Sequence, residues 1–421
     1  MKDSLRLCLS LYACEPHRGS EPGVGWAWAL GMAKRHETWV LTRTNNRGAI
    51  ENELDRLAIP ESERPHFVWV DLPKWIRRLK KKGILSVYFY YLLWQFEARR
   101  VWNRSGIRVD IIHHITFNTF AIPGVWWNRR EKVVLGPLGG MSICPWPFLR
   151  CFPIHARIRE AIRGSFCRLW FLNPLYLFAR GYADALIFTT NDIRKKLARR
   201  KGRSKVFLET AVPTMLECRD NYVPSKSRSR RFIWAGSFEG RKAGDIAIRA
   251  FAQAFHDTAD PPVLEMIGDG ILASRWKRQV ATLHAESIIR FTGRTTQEEL
   301  WKKISDSLAF VFTSVRDTSG NVAIESLALG TPAICFRHQG VAEIVDDTCG
   351  IPVEPRSYQE AIADFAAAMR RLADNPGLAD TLGASGRKRM MEKFTWKQKF
   401  DAADALYCAI LANRPGHVAL S

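Results

Sequence analysis

The feature that most constrains the fold of this chain is the segment 316–332, which reads Arg-Asp-Thr-Ser-Gly-Asn-Val-Ala-Ile-Glu-Ser-Leu-Ala-Leu-Gly-Thr-Pro. An apolar stretch at 307–312 precedes it and another at 333–336 follows it. Between them, apolar residues recur with the spacing of a helix that packs on a sheet, and Gly330 and Pro332 end that helix. The pattern predicts a strand–loop–helix–strand unit of a parallel sheet.

The loop of this unit has the composition of an anion site. Gly320 directly precedes the helix, so the backbone N–H groups of Gly320, Asn321 and Val322 can face an anion, aided by the helix dipole. Asp317 lies at the strand end, and Glu325 lies eight residues later in the first turns of the helix. We expect both carboxylates to point at one ligand that lies over the loop.

The segment resembles the donor-site signature of family 4 retaining glycosyltransferases, the group 1 glycosyltransferases, which have the GT-B fold. The resemblance rests on an acid, seven residues, a Glu and then Ala-Leu-Gly-Thr-Pro. It implies that Glu325 holds the ribose hydroxyls of a nucleotide sugar. It also implies that Asp317, one methylene shorter than the Glu usual in the family, holds hydroxyls of the donor sugar. The alternative is an ordinary βαβ unit with surface acids.

A second glycine turn between a predicted strand at 231–235 and a helix at 246–255 carries cations. Gly236 is followed by Arg241 and Lys242, a composition typical of a phosphate site. The family commonly has an additional Arg where this chain has Ser237, so the resemblance leaves the cationic role to Arg241 and Lys242. It also places Gly268, at the end of the next strand, near the nucleotide base. The alternative is a solvated cation pair on a turn.

The N-terminal half offers further candidates. A first strand at 5–11 leads into a loop that contains Gly23 and Gly25, and a helix is predicted from Trp26 onward. The loop resembles the glycine-rich loop that in the family faces the donor across the cleft; a plain turn is the alternative. His113 and His114 end a later strand, where the family often has a His near the donor sugar. Neighbours on a strand point opposite ways, so which His faces the cleft stays open.

The resemblance assigns the residues two kinds of role. Those expected in catalysis are His113, His114, Asp317 and Lys242. Those expected to bind the donor are Gly23, Gly25, Gly236, Arg241, Lys242, Gly268, Gly320, Asn321, Val322 and Glu325.

Charge is unevenly distributed along the chain. Residues 1–200 hold 33 basic and 16 acidic residues, a net charge of +17, whereas the whole chain carries +21. A basic half implies an acidic partner, for which nucleic acid, anionic lipid and a phosphorylated acceptor all qualify. Basic and aromatic residues are mixed at 74–104 and at 144–179. Residues 74–104 are interpreted either as a helix that lies on an anionic membrane face or as a core helix with a solvated basic entry. Residues 144–179 are interpreted either as an acceptor or membrane face or as an insertion packed on the first domain. We expect peripheral contact with an anionic membrane and no nucleic acid partner.

Several classes of site are not indicated. The nine cysteines form no C-x-x-C pair, and no Asp-x-Asp occurs, so neither a metal ion nor a cofactor is expected. Scattered free cysteines fit a reducing cytosol. The longest apolar stretch, 84–96, is shorter than the ~20 residues of a membrane span. The expected location is therefore the cytoplasm, at the inner face of the membrane.

The resemblance implies the GT-B fold, an α/β architecture of two doubly wound Rossmann-like domains with a cleft between them. The expected boundaries are an N-terminal acceptor-side domain at 1–220, a linker at 221–231, a nucleotide-sugar domain at 232–393 and a helix at 394–421 that returns to the first domain. The expected function is transfer of a sugar from a nucleotide-diphosphate sugar to a glycan or lipid-linked acceptor, with retention and without metal, in cell-surface polysaccharide synthesis. The alternatives are a GT-B sugar-nucleotide epimerase and a non-enzymatic nucleotide- or anion-binding protein.

Overall fold

A computed structural model describes residues 4–117, 119–127, 130–198, 204–217 and 228–412 of the 421-residue chain. The chain divides into two compact units. Unit 1 comprises Met1–Met141, Leu169–Thr210 and Lys399–Ser421, and unit 2 comprises Ser142–Arg168 and Ala211–Gln398.

Unit 1 is built on a seven-stranded parallel sheet with the order β3-β2-β1-β4-β5-β6-β7. Strand β4 lies at the centre, and the order reverses between β1 and β4, as in doubly wound folds. The central strands are almost entirely buried, which explains their continuous apolar sequences. The strands are β1 (Arg6–Leu11), β2 (Glu37–Thr42), β3 (His66–Trp69), β4 (Ile111–Thr116), β5 (Lys132–Leu138), β6 (Ala185–Phe188) and β7 (Ser204–Val206).

Unit 2 contains a six-stranded parallel sheet with the order β10-β9-β8-β11-β12-β13. Here the order reverses between β8 and β11, so these two strands end side by side at the same edge. The strands are β8 (Ser229–Ala235), β9 (Val263–Ile267), β10 (Ile289–Gly293), β11 (Ser307–Phe312), β12 (Ala333–Phe336) and β13 (Gly350–Val353).

Helices connect the strands of both sheets. In chain order they are α1 (Ser20–Ala33), α2 (Arg47–Arg56), α3 (Lys74–Lys81), α4 (Val87–Ser105), α5 (Ile154–Arg168), α6 (Pro174–Tyr182), α7 (Asn191–Leu197), α8 (Thr214–Glu217), α9 (Gly244–Phe255), α10 (Ala273–Thr282), α11 (Gln297–Ser305), α12 (Asn321–Ala328), α13 (Val341–Ile344), α14 (Tyr358–Asp374), α15 (Pro376–Lys393) and α16 (Trp396–Ala412).

The central sequence segment forms the predicted strand–loop–helix–strand unit. All residues of β11 and β12 are buried, and α12 between them packs Ile324 and Leu327 into the core. Gly320 precedes α12 in the left-handed conformation with φ +61°, and Gly330 leaves it with φ +71°. Glycine adopts both conformations without steric cost, which is why the helix has these limits.

The first glycine-rich segment differs from its prediction. A loop was expected as far as Gly25, but α1 already begins at Ser20, so Gly23 and Gly25 lie in its first turns. A Cβ atom on Gly25 would stand 2.0 Å from the carbonyl oxygen of Ala13, and one on Gly23 equally close to that of Arg18. The glycines therefore permit close packing of the helix start against the preceding backbone.

The basic and aromatic segment 74–104 folds as two helices, α3 and α4, rather than one. The chain turns between them at Gly83, which has φ +73°. One face of α4 is core, with Tyr91 and Trp94 fully buried, whereas Tyr88 and Phe89 at its start are at least half exposed. The buried face agrees with the interpretation of a core helix, and contact of the exposed start with a membrane stays a prediction.

One segment joins a unit other than the one expected from its position in the chain. Ser142–Arg168 was expected in the N-terminal domain but lies in unit 2, because Phe148 packs against Phe336 and Phe152 against Gly240. The predicted linker at 221–231 lies outside the described residues as far as 227, and β8 begins at Ser229. Helix α16 starts in unit 2 and continues in unit 1 from Lys399.

None of the helices within the described residues is long and apolar enough to cross a membrane.

Candidate functional site

The best-defined polar cluster of unit 2 lies where β8 and β11 end. After β8 the chain forms a short 3-10 turn, Gly240–Lys242, which carries Arg241 and Lys242. After β11 it reaches Asp317, four residues before α12 begins. The two segments are held together by backbone, because Val315 N–H donates to the Arg241 carbonyl at 2.9 Å. The edge where parallel strands end is the usual ligand site of open α/β sheets.

Lys242 and Asp317 form the central ion pair of this cluster. Lys242 Nζ donates to Asp317 Oδ2 at 2.5 Å, and Arg241 Nη1 lies 3.6 Å from the same oxygen. The side chains of Lys242 and Asp317 are only 14% and 18% exposed, so water screens their attraction weakly. Arg241 is fixed from the other side by Glu239 at 2.6 Å. Two cations therefore surround one carboxylate at a strand end.

Asp317 is held in its charged form. Burial alone would raise the pKa of this carboxyl. The charge and hydrogen bond of Lys242, with a hydrogen bond from the Gly320 N–H, outweigh burial and lower the pKa below its usual range. Asp317 Oδ1 accepts that N–H at 3.2 Å, so the aspartate also fixes the loop that leads into α12.

The start of α12 supplies backbone donors near this cluster. The N–H groups of Asn321 and Val322 come first in the helix and have no carbonyl acceptor within it. The helix dipole adds a partial positive charge at this end. Together with the side chains of Arg241 and Lys242, unit 2 thus offers both kinds of donor that bind phosphate oxygens.

Glu325 lies one turn into α12 and has different partners from Asp317. Its Oε2 accepts a hydrogen bond from Trp301 Nε1 at 2.8 Å, and Gln297 contributes a second. Burial raises the pKa of Glu325, and these two hydrogen bonds oppose the rise without cancelling it. The expectation that Glu325 and Asp317 point at one ligand remains a prediction, because the contacts of each lead to a different neighbour.

Two glycines, Gly268 and Gly340, let backbone segments approach closely at this edge. Gly236 follows β8, and a Cβ there would make only an ordinary contact with the Lys242 stem at 3.8 Å. Gly268 has φ +136°, and a Cβ on it would stand 1.9 Å from the Gly236 carbonyl oxygen. A Cβ on Gly340 would stand 1.8 Å from the Thr318 oxygen, so Gly340 presses on the loop that holds Asp317.

Two residues that position Asp317 were not identified from the sequence. Gln339 Oε1 accepts the Asp317 N–H at 2.9 Å, and Ser142 Oγ donates to the Asp317 carbonyl at 3.3 Å. Gln339 directly precedes Gly340 and lies 22 residues after Asp317, so its contact with Asp317 has no local sequence signal. Ser142 comes from the segment before α5, 175 residues away, and no local pattern indicates that contact.

His113 and His114 are both fully buried on β4 of unit 1. His113 Nε2 donates to the Gly136 carbonyl at 2.9 Å, so Nδ1 accepts from the Tyr407 hydroxyl at 2.6 Å. His114 has Tyr91 Oη at 2.5 Å and Ser10 Oγ at 2.9 Å. Burial lowers the pKa of each to about 3. Both rings are thus neutral core groups whose ring nitrogens have partners, and a catalytic role for either stays a prediction.

Metal ligands are not grouped in the part of the chain that the structure describes. No cluster of three or more His, Cys, Asp or Glu side chains there has the arrangement of a metal site.

The C-terminal part of the chain matches a known family. Residues 221–389 match the family model described as glycosyl transferases group 1. The match covers 169 of the 421 residues of the chain. The segment includes Arg241, Lys242, Asp317 and Glu325, so the family assignment predicted from the central motif is confirmed.

Two curated relatives show how far the similarity extends. The D-inositol 3-phosphate glycosyltransferase of Streptomyces bingchenggensis is 29% identical over 248 residues, 54% of this chain and 53% of that protein. The lipopolysaccharide core biosynthesis glycosyltransferase LpsD of Rhizobium meliloti is 30% identical over 191 residues, 43% of this chain and 50% of that protein. The chain therefore spans about half the length of the curated relatives it matches.

The fold of the chain resembles solved structures over nearly its whole length. Alr3699/HepE of Anabaena, crystallised in complex with UDP, superposes with a TM-score of 0.61 at 15% identity, covering 96% of this chain and 100% of that one. This likeness confirms the predicted GT-B class of fold, with two doubly wound Rossmann-like units and a final helix.

Proposed function

We propose that this protein is a glycosyltransferase that moves a sugar from a nucleotide-diphosphate sugar to a glycan or lipid-linked acceptor. The observation that carries the proposal is the arrangement of Lys242 and Arg241 around Asp317 at the start of α12, within the group 1 domain. UDP is bound by the Anabaena protein of the same fold, which supports a nucleotide donor here.

The roles of the site residues follow from their charges. A departing diphosphate develops negative charge, which Arg241, Lys242 and the N–H groups of Asn321 and Val322 can stabilise without a metal ion. Asp317 accepts hydroxyls of the donor sugar, and Glu325 accepts those of the ribose. The surrounding glycines, Gly236, Gly268 and Gly320, let backbone come close to the donor.

The transfer itself is proposed to proceed with retention of configuration. The bond between the anomeric carbon and the diphosphate oxygen breaks, and the acceptor hydroxyl oxygen bonds to the same face of that carbon. The acceptor proton passes to the departing phosphate. Lys242 and Arg241 contribute most in this step, because the charge on the phosphate is greatest there.

The acceptor is proposed to belong to cell-surface polysaccharide synthesis at the inner face of a membrane. A relative named for lipopolysaccharide core biosynthesis supports this class of acceptor. Peripheral membrane contact is supported by apolar side chains on the outside of α5. Ile154, Ile158, Ile162 and Phe166 are 75%, 62%, 66% and 53% exposed and recur every four residues along one face.

Nucleotide binding tests the donor site. Lys242→Gln and Glu325→Ala should each weaken binding of the preferred nucleoside diphosphate by about 1.5–3 kcal/mol, the scale of a hydrogen bond to a charged group. The measurement is calorimetric titration with a panel of nucleoside diphosphates and nucleotide sugars. Lys388→Gln, a change of an exposed cation on α15, is the control. Wild-type affinity in both site variants would refute the assignment.

A further inference from the structure

A cluster of cations and aromatic rings lies at the carboxyl edge of the unit 1 sheet and belongs to no part of the proposed donor site. Tyr12 follows β1, and Arg43 follows the neighbouring strand β2. Lys80 lies on α3, which follows β3, the strand next to β2. Tyr12 and Arg43 therefore directly follow adjacent strands, and Lys80 belongs to the helix after the next strand. Open α/β sheets bind their ligands at the edge where their strands end.

Tyr12 joins the two cations of this cluster. Arg43 Nε donates to the Tyr12 carbonyl at 2.8 Å, and the guanidinium carbon lies 4.2 Å from the centre of the Tyr12 ring. Lys80 Nζ is 3.5 Å from the Tyr12 hydroxyl and 4.2 Å from the centre of the Tyr90 ring. Ring faces and neutral oxygens therefore orient both cations. Because these partners carry no negative charge, the charges of the cations remain uncompensated.

Carboxylates near the cluster are engaged elsewhere. Asp71 binds Arg77 at 2.9 Å and also accepts the Thr44 hydroxyl. Glu21, which faces Tyr12, accepts the Phe117 N–H at 3.1 Å, and its pKa is raised by burial. Among the described residues, neither Arg43 nor Lys80 has a carboxylate within ion-pair distance. Asp71 is thus paired with Arg77, and the charges of Arg43 and Lys80 have no acidic partner among the described residues.

The two uncompensated cations repel each other. Burial lowers the pKa of Lys80, and the charge of Arg43 lowers it further. Both side chains are partly buried, where like charges interact more strongly than in water. An anion bound between them would remove the repulsion and use the remaining donors of the guanidinium and ammonium groups. A phosphate, with up to two negative charges, matches two cations better than a carboxylate does.

Apolar side chains border the cluster. Phe117 lies 5.2 Å from Tyr12 and 5.9 Å from Tyr88, measured between ring centres. Tyr88 is 58% exposed, and Ile84 and Phe89 beside it in the chain are also exposed. A ligand whose phosphate meets Arg43 and Lys80 would therefore have an apolar surface next to it.

We propose that Arg43 and Lys80 bind a phosphate group of the acceptor substrate, with Tyr12 holding both cations in place. The inference rests on the proposed function, because it takes unit 1 as the side that binds the acceptor. The phosphate comes either from a water-soluble phosphate ester or from a lipid phosphate. The chemistry at the cations is the same in both cases.

Phosphate binding by variants tests this site. The probes are glycerol 3-phosphate and a short-chain phosphatidic acid below its micelle concentration, titrated into the full-length protein. Arg43→Gln and Lys80→Gln should each weaken binding about tenfold or more, the effect of losing one charged hydrogen bond. Lys80→Arg should retain binding, and Lys74→Gln, an exposed change on the same helix, should leave it unaltered. Circular dichroism checks that each variant is folded.

The outcomes separate this proposal from the donor assignment. Loss of binding in both charge-removing variants, with retention in Lys80→Arg and Lys74→Gln, supports the phosphate site. Preference for the ester or for the lipid identifies the source. Binding of both probes equal to wild type in Arg43→Gln and Lys80→Gln, or no binding by wild type, overturns the proposal. Titration of the same variants with UDP reports on unit 2 separately, so either site can fail while the other stands.

Discussion

Lys242 and Asp317 lie 75 residues apart in the chain and hold each other at the ends of adjacent strands. The pair keeps the carboxyl ionised and holds the ammonium group in a fixed position before any ligand arrives. In the proposed donor site, a bound diphosphate would share Lys242 and Arg241 with Asp317. Such preorganised charge is what stabilises a leaving group effectively.

The two buried histidines should make stability depend on pH. Their pKa is about 3 in the folded protein and ordinarily about 6.5, so the unfolded chain binds protons that the folded protein does not. Stability from this source is complete above pH 6.5 and is lost as the pH falls towards 3. Each histidine should remove about 2 kcal/mol of unfolding free energy between pH 6.5 and pH 5.

Urea unfolding at several pH values checks this prediction. His113→Gln and His114→Gln should each show a shallower decline with falling pH than wild type. His155→Gln, which changes an exposed histidine on α5, should decline like wild type. A wild-type slope in the His113 and His114 variants would contradict the prediction.

Elements whose signals are local were predicted well from the sequence. The β11–α12–β12 unit follows from apolar periodicity and glycine stops within 30 residues. The predicted start of α1 was wrong. Gly23 and Gly25 indicate a loop in the sequence, but in the structure they permit close packing of the helix. The membership of α5 in unit 2 was not predictable, since its segment is placed by Phe336 and Gly240, which are far away in the chain.

The same contrast between local signals and distant packing holds for the candidate site. Asp317, Arg241 and Lys242 were found because a charged residue beside a glycine turn at a strand end is a local signal. The partners that orient them, Ser142 and Gln339, depend on packing between distant segments. His113 and His114 were candidates because of their residue type. Their burial was not predicted, because the strand pattern does not show what covers each face.

Gly340 connects α13 to the loop that holds Asp317. Its φ of −61° suits any residue, so replacement by alanine changes only the space available, and a Cβ would collide with the Thr318 carbonyl. Gly340→Ala should destabilise the protein by about 1–3 kcal/mol and weaken nucleotide binding, because the loop must shift. Gly377→Ala, where the nearest atom is 3.5 Å away, is the matched control. Unchanged nucleotide affinity in a folded Gly340→Ala protein would count against the loop's role.

On the scale of the whole molecule, the protein carries a net charge of +21 and also exposes apolar side chains. Helix α5 buries the small residues Ala156, Gly164 and Cys167 and exposes isoleucines. This is the reverse of an ordinary surface helix, whose large apolar side chains face the core. Arg159 and Arg168 flank the exposed stripe, an arrangement typical of helices that lie in the headgroup plane of a bilayer.

Vesicle binding checks the membrane proposal. The protein should sediment with vesicles that contain anionic lipid, and less so at 1 M salt, where the Debye length is ~3 Å. Replacing Arg78, Lys81 and Lys82 by Gln should weaken binding by about 3 kcal/mol, since each cation contributes about 1. Replacing Ile158 and Ile162 by Ser should also weaken it, whereas Ile271→Ser, a change of an isolated exposed isoleucine, should not. Equal binding to neutral vesicles would exclude the electrostatic part of the proposal.

Turnover is expected to need no divalent metal ion. The charge of the leaving group is assigned to Arg241, Lys242 and the start of α12, which are all parts of the protein. Initial rates measured with excess EDTA should therefore be nearly the same as those without it. A loss of activity that Mn²⁺ restores would show that the cations of the protein are insufficient.

Helix α16 has a consequence for the order in which the chain acquires its structure during synthesis. The Tyr407 hydroxyl of this helix hydrogen-bonds to His113, and Asp404 binds His36 at 2.9 Å. Both histidines belong to the first third of the chain. A ribosome adds residues one at a time from the N-terminus, and domains usually fold as soon as they emerge. Unit 1 instead waits with an incomplete core until every residue of unit 2 has been translated. Nascent unit 1 should therefore complete its core only once α16 has been synthesised.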